Sequence, residues 1–229
     1  LRRRAITPSV VIGLCGIPGA NGVTFDEARG LTIGPLAVLA VVAEHPDVKR
    51  RYPALAQAAA AIATVPIRNR GTVAGNVCNA SPAADTATPL LVHDAEVELL
   101  RPAESRTLAI AQLFRAPGRT ALERTEVLQA IRVPAPGVRV GSDYQRLSAR
   151  SHVDIPSVGV SALIALDDAG RISRARLALG AVAPVPLRAI AAEEALVGHP
   201  ATRDRFAAAA ALAAAAASPI SDVRASAEY

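Results

Sequence analysis

Two apolar segments, "SVGVSALIAL" and "RISRARLALGAV", flank the dipeptide pair Asp167-Asp168 followed by Ala169-Gly170. Alternating strand-like residues on either side of a glycine-bearing polar turn predict an antiparallel hairpin. An antiparallel pair this long needs a partner layer over its apolar face. The helical stretches that follow, "PLRAIAAEEALVG" with Gly198 as its stop and "FAAAAALAAAAA" (206–217), supply one. The alanine run has high helix propensity and is too short for a membrane span of about 20 residues. It reads as a helix packed closely on a neighbour.

Upstream, the punctuation by Gly and Pro marks further elements. "AITPSVVIGL" reads as a short buried strand before a Gly/Pro/Asn turn, and "LTIG" as another strand. A helix is expected from Pro35, and a second over "YPALAQAAAAIATVPI", ended by Pro66. "TATPLLVHDAEVELL" predicts a short helix leading into a strand at 95–100, and "TEVLQAIRVP" a strand closed by Pro134. The Pro/Gly-rich connector from Pro134 to Ser142 divides the chain into 1–134 and 141–229. The second part is then an antiparallel sheet backed by helices, an α+β unit. With aromatics at 3% against 51% hydrophobic residues, the cores are built from Ala, Val, Leu and Ile.

Composition excludes several functions. The net charge of +5 is carried almost wholly by arginine, with Lys49 the sole lysine, and the arginines are dispersed. Few aromatics are available to stack bases, so nucleic-acid binding is not supported. Cys15 and Cys78 lack a CxxC spacing, which removes zinc and iron–sulfur ligation, and are read as reduced thiols of a cytoplasmic protein. The chain opens on "LRRRAITP" without Met, so a segment is expected before Leu1.

The stretch from Arg68 to Asp85, "RNRGTVAGNVCNASPAAD", carries the chemistry. Glycines let a backbone approach a ligand closely, and converging N–H groups suit an anion. Thr72, Asn76, Asn79 and Ser81 add donors, the set a pyrophosphate requires. Asp85, an acceptor when ionised, suits a sugar hydroxyl. A glycine-rich turn with no ligand remains the alternative on chemistry alone. Neither GxGxxG nor GxxxxGK[ST] is present, so Rossmann-type and P-loop sites are not supported.

The region from "IGPLAVLAVVAEHP" through "IRNRGTVAGN" and "SPAAD" to "HDAEVEL", with "YQRLSAR" and the terminal "DVRASAEY", resembles the FAD-binding subunit of molybdenum hydroxylases of the xanthine and carbon monoxide dehydrogenase type. The resemblance covers essentially the whole chain. It implies a PCMH-like FAD-binding α/β domain, here incomplete at its N-terminus, followed by an α+β C-terminal domain. It also implies FAD as cofactor, fed one electron at a time from [2Fe–2S] clusters and discharged to NAD+, a quinone or oxygen. The partners would be a molybdopterin-containing large subunit and a [2Fe–2S] small subunit.

By the same resemblance Thr72, Val73, Ala74, Gly75 and Asn76, with Asn79 and Ser81, form the FAD-contacting loop, and Asp85 serves the ribityl or ribose. Ile62 is an apolar neighbour of the FAD, and Leu128 and Ile155 lie close to the isoalloxazine. Arg146 stands where the family usually has the Lys of "Y-x-K", a cation that could stabilise reduced flavin. Ala74 replaces the first Gly of "GGN", adding a methyl beside the phosphate path. The other pyrophosphate loop, a GGTD-like turn, would precede Leu1. Two alternatives are a scaffold derivative of this fold without FAD and a free-standing flavin oxidoreductase; the latter lacks a visible general base.

Other polar residues are expected to be structural. Cys78 is read as a small buried residue beside the cofactor. His45, His93 and His199 are read as surface or capping residues, Asp167 and Asp168 as turn residues, and Glu193-Glu194 as a solvated helix face. His152, before "VDIP", is a candidate for modulating the flavin.

Overall fold

The computed structural model describes residues 8–102, 104–151, 153–222 and 225–229, so His152 lies outside the described residues. In chain order the elements are β1 (Val23–Asp26), β2 (Gly30–Ile33), α1 (Leu39–Glu44), α2 (Pro46–Arg51), α3 (Pro53–Ala61), α4 (Val65–Arg68), α5 (Val73–Cys78) and α6 (Ala87–Val92). There follow β3 (Glu96–Arg101), β4 (Glu104–Ala109), α7 (Ile110–Leu113), β5 (Phe114–Ala116), β6 (Arg119–Thr120) and β7 (Val127–Val133). The remainder is β8 (Val140–Leu147), β9 (Val158–Leu166), β10 (Ile172–Gly180), β11 (Leu187–Arg188), α8 (Ile190–Glu194) and α9 (Arg203–Ala215).

Two antiparallel sheets organise the molecule. The first has the order β1-β2-β7-β3-β4, so β7 returns from late in the sequence to sit between β2 and β3. The second has the order β11-β10-β9-β8, with the expected hairpin at its centre. Asp167 makes that turn as foreseen: its Oδ1 accepts the Arg171 amide at 2.7 Å, and Gly170 takes φ +76°.

The helices between β2 and β3 cover one face of the first sheet. All six residues of α6 are buried, because the helix is shared by two layers: it packs on α3 and also on β9 and β10. A helix apolar on every side has no solvent face to keep. The main core consequently runs from Leu31, Val97 and Ile131 in the first sheet through Leu55 and Leu90 to Leu163 and Ala178 in the second. A smaller core lies between β10, α8 and α9 around Ile172, Ala192 and Ala209.

The seam between the halves is one face of β8. Its alternate residues Ser142, Tyr144, Arg146 and, just beyond the strand, Ser148 lie on that face, as a period of two requires. Ser142 meets the Ala54 amide and His93, and Ala54, Ala58 and Ala61 pack around Tyr144. The small side chains of α3 permit this close approach.

Several expectations are corrected. No strand forms over the described part of "AITPSVVIGL": Val10, Val11 and Ile12 are exposed, with neither a strand edge nor an apolar layer against them. The helix after Pro35 starts only at Leu39, because the preceding backbone is tied down by Gly34 N–H to Gly22 O (2.8 Å) and Leu36 N–H to Ala20 O (2.9 Å). Pro66 opens α4 rather than ending α3, which stops at Ala61 before a left-handed Ala63 (φ +46°). Helix α9 buries only Ala209 and Ala213, a narrower contact than its composition suggested.

His93 stands at the C-terminal cap of α6, one of its two expected settings, but is buried there and not at the surface. It stacks edge-on against Tyr52, with centroids 5.1 Å apart, and its Nε2 lies 3.1 Å from Ser142 Oγ. Glu193 is buried as well, bonded to Arg188 and accepting the Leu177 amide at 2.9 Å; only Glu194 keeps the solvated position.

Candidate flavin site

The loop from Arg68 to Asp85 is built backbone first. The Gly71 carbonyl accepts from Leu39 N–H at 2.8 Å, and an isolated bridge pairs Thr72 with Val38, which fixes where α5 begins. Thr72 then caps α5, its Oγ1 accepting from Gly75 N–H at 2.9 Å. A Cβ on Gly75 would stand 3.0 Å from that oxygen, a tight contact that glycine avoids.

The polar side chains of the loop share one pattern. Thr72 Oγ1 accepts Gly75 N–H, Ser81 Oγ accepts Ala83 N–H at 3.3 Å, and Asn76 Oδ1 accepts the Thr86 hydroxyl at 2.6 Å and its amide at 3.3 Å. Their acceptor oxygens are satisfied internally, whereas the hydroxyl protons and the Asn76 amide protons have no partner among the described residues. A hydroxyl that accepts one bond still has its own proton to give. Exposed Asn69, Arg70, Gly75 and Asn79 extend this donor-rich surface. Such a surface is matched to an anion.

Ala74 has helical geometry and is buried in the main core with Val73 and Val77. Its methyl therefore serves packing, and the loop absorbs the change from glycine without strain. Cys78 is half-buried and burial pushes its thiol up to about 11, so it is an inert neighbour.

Asp85 closes the loop. It is buried at the seam, where Oδ1 accepts the Tyr144 hydroxyl at 2.6 Å and Arg146 Nη1 at 2.9 Å. Burial raises its pKa above the ordinary carboxylate value, with Tyr144 and Arg146 opposing that rise. Burial, and after it the same carboxylate, drive the Tyr144 hydroxyl upward, so the phenol stays protonated and remains a donor. Nearby, Pro82 O accepts the Ala181 amide at 2.8 Å. The "SPAAD" segment is thus also the latch of the first half onto the second sheet.

Arg146 also ties down the backbone next to two more of the expected residues, Ile62 and Ile155. Its Nη1 donates to Ala61 O at 3.0 Å, and its Nη2 to Ser148 Oγ at 2.9 Å and to Asp154 O. Arg68 donates to Ile62 O and Ala63 O, each at 2.9 Å. Three successive carbonyls at the end of α3 are therefore taken by guanidinium groups, as befits the negative end of a helix. Ile62, its carbonyl held by Arg68 and its predecessor's by Arg146, packs half-buried against the main core, and the exposed Ile155 follows Asp154 directly.

Leu128 is not part of this cluster. It sits in β7 opposite Leu99 and borders a cavity of about 540 Å³ on the other face of the first sheet, under Leu14, Pro18 and Leu36. The residues missed in the sequence are Tyr144, Thr86, Arg68 and Ser148. Alternation along "SDYQRLS" already placed Tyr144 and Ser148 on the face of Arg146; nothing local marked Thr86 or Arg68.

Family models give these features an identity. Residues 1–136 match the FAD binding domain in molybdopterin dehydrogenase, and residues 143–229 match the CO dehydrogenase flavoprotein C-terminal domain. The chain belongs to the molybdopterin dehydrogenase FAD-binding family. Among curated relatives, the xanthine dehydrogenase FAD-binding subunit of Escherichia coli is 36% identical over 80% of this chain. The chain spans 63% of that relative's length. The carbon monoxide dehydrogenase medium chain of Hydrogenophaga pseudoflava is 31% identical over 100% of the chain and 79% of its own length. Reconstituted CO dehydrogenase from Oligotropha carboxidovorans superimposes with a TM-score of 0.92 at 29% identity, over 99% of this chain and 78% of that one.

FAD is the cofactor of this family. The donors of Thr72, Asn76 and Ser81 fit its pyrophosphate, and the apolar edges of Ile62 and Ile155 fit a ring system. Among the described residues no cluster of metal-ligating side chains occurs, and no helix is long and apolar enough to cross a membrane.

Proposed function

We propose that this flavoprotein is the electron-transferring FAD subunit of a molybdenum hydroxylase, an oxidoreductase. It would take electrons from the [2Fe–2S] clusters of a small subunit, while hydroxylation occurs in a molybdopterin-containing large subunit. Its FAD would pass them on to NAD+, a quinone or oxygen. FAD supplies the exchange between one- and two-electron carriers; the chain binds, orients and shields it. The reading includes a division at Pro134–Ser142 and a cytoplasmic setting, in line with two thiols that are both free.

One observation carries the reading: Thr72, Asn76 and Ser81 have their acceptors satisfied internally and their donors uncommitted, beside the buried Asp85–Arg146 pair. In the assignment Thr72–Asn76, Asn79 and Ser81 hold the phosphates, while Ile62, Asp85, Arg146 and Ile155 frame the sugar and ring, and Leu128 on β7 stands apart from them. The double variant Asn76→Ala, Asp85→Ala of the full-length protein should lose most of its bound flavin, read as visible flavin absorbance per protein. Full flavin content in a folded double variant would refute the site.

A further inference from the structure

A guanidinium has five N–H donors and no acceptor. In Arg146 each of them has a protein partner. Nε and Nη2 share Ser148 Oγ at 3.3 and 2.9 Å, Nη2 also reaches Asp154 O, and Nη1 serves Ala61 O at 3.0 Å and Asp85 Oδ1 at 2.9 Å. The side chain is only 11% exposed. These partners come from four places: the end of α3, the "SPAAD" segment, the residue after β8, and the backbone just before Ile155.

We propose that Arg146 acts toward the flavin as a positioning residue, clamping the α3 end, Asp85 and the Asp154–Ile155 backbone into one wall, and donates no hydrogen bond to the cofactor itself. The proposal rests on the FAD reading above and departs from the expectation that a cation at this position meets the reduced ring directly. With all donors committed, direct contact would require breaking a bond to a buried carboxylate, to a carbonyl or to the Ser148 hydroxyl, each a charge-assisted interaction. Its positive charge still acts through space, but the shape of the wall is what the planar fork fixes. Lysine, with three donors on a single atom, cannot serve four acceptors spread around a plane. Retaining the charge would therefore not retain the wall.

The test compares wild type, Arg146→Lys and Arg146→Gln in two measurements. Amide exchange without FAD, read at Ile62, Ile155 and Ser157, should quicken in both variants, and FAD titration of the full-length apoprotein should show both weakened about tenfold or more. Wild-type affinity and exchange in Arg146→Lys, with loss confined to Arg146→Gln, would overturn the proposal in favour of direct contact. Ser148→Ala guards against misfolding: it removes one acceptor outside the core and should raise exchange at Ile155 with a smaller, roughly twofold, loss of affinity; no change in either would also overturn the clamp. If the wild-type full-length protein binds no FAD, the functional reading and the flavin half of the proposal fail. The exchange data still decide the clamp.

Discussion

His93 is the buried residue whose ionisation matters most. Burial and the charge of Arg174 lower it to about 4, against an ordinary value near 6.5, so it is neutral when folded and faces Ser142. The unfolded chain binds this proton first. Stability should therefore be unaffected above pH 6.5, fall by about 1.4 kcal/mol per pH unit between roughly 6.5 and 4, and level off below. Urea titrations over that range should show the slope, and His93→Gln should flatten it. Ala63 presents a different residue-scale cost, since its φ of +46° is unfavourable for any residue with a Cβ. Ala63→Gly should stabilise the protein by about 1 kcal/mol in thermal or urea unfolding, the left-handed strain outweighing glycine's extra entropy.

At the scale of elements, the β1–β2 turn shows how little freedom a close approach leaves. Gly30 has φ +82°, and a Cβ there would stand 2.1 Å from Val133 O on β7. Gly30→Ala should cost at least about 2 kcal/mol and detach β2 from β7, visible as rapid exchange at Ile33. The β8 seam makes the complementary case. Tyr144→Phe keeps the packing against Ala54 and Ala58 but removes one of two donors from the buried Asp85 carboxylate. A loss of about 1–3 kcal/mol in urea unfolding is expected. Strand and hairpin positions were legible in the sequence because alternation and turn chemistry are local. The position of Pro66 was misread because a proline suits a helix's first turn as well as its end. Only the left-handed Ala63 decides between them.

For the whole molecule, α6 is decisive: it belongs to the core of both sheets at once. The two halves should consequently unfold together, with β3 and β9 amides exchanging at the same opening free energy. Separate values differing by more than about 1 kcal/mol would show independent units. The ion pairs that cross the seam support this only modestly at the surface, where Asp94 meets Arg176 and Arg188. The buried Asp85–Arg146 pair across the seam matters more, as does Glu193–Arg188 within the second half, because removing one partner of either leaves a buried charge.

The sequence by itself determined the hairpin, the helical layer, the donor-rich loop and the family to which they belong, since each is written in adjacent residues. Tertiary structure alone decided how those donors are used. Asp85 is satisfied by residues about sixty positions away, His93 and Glu193 are drawn inward by partners on other strands and helices, and Arg146 is saturated from four separate segments. A hydrogen bond is completed by whatever the fold brings within about 3 Å, and spacing along the chain does not encode that.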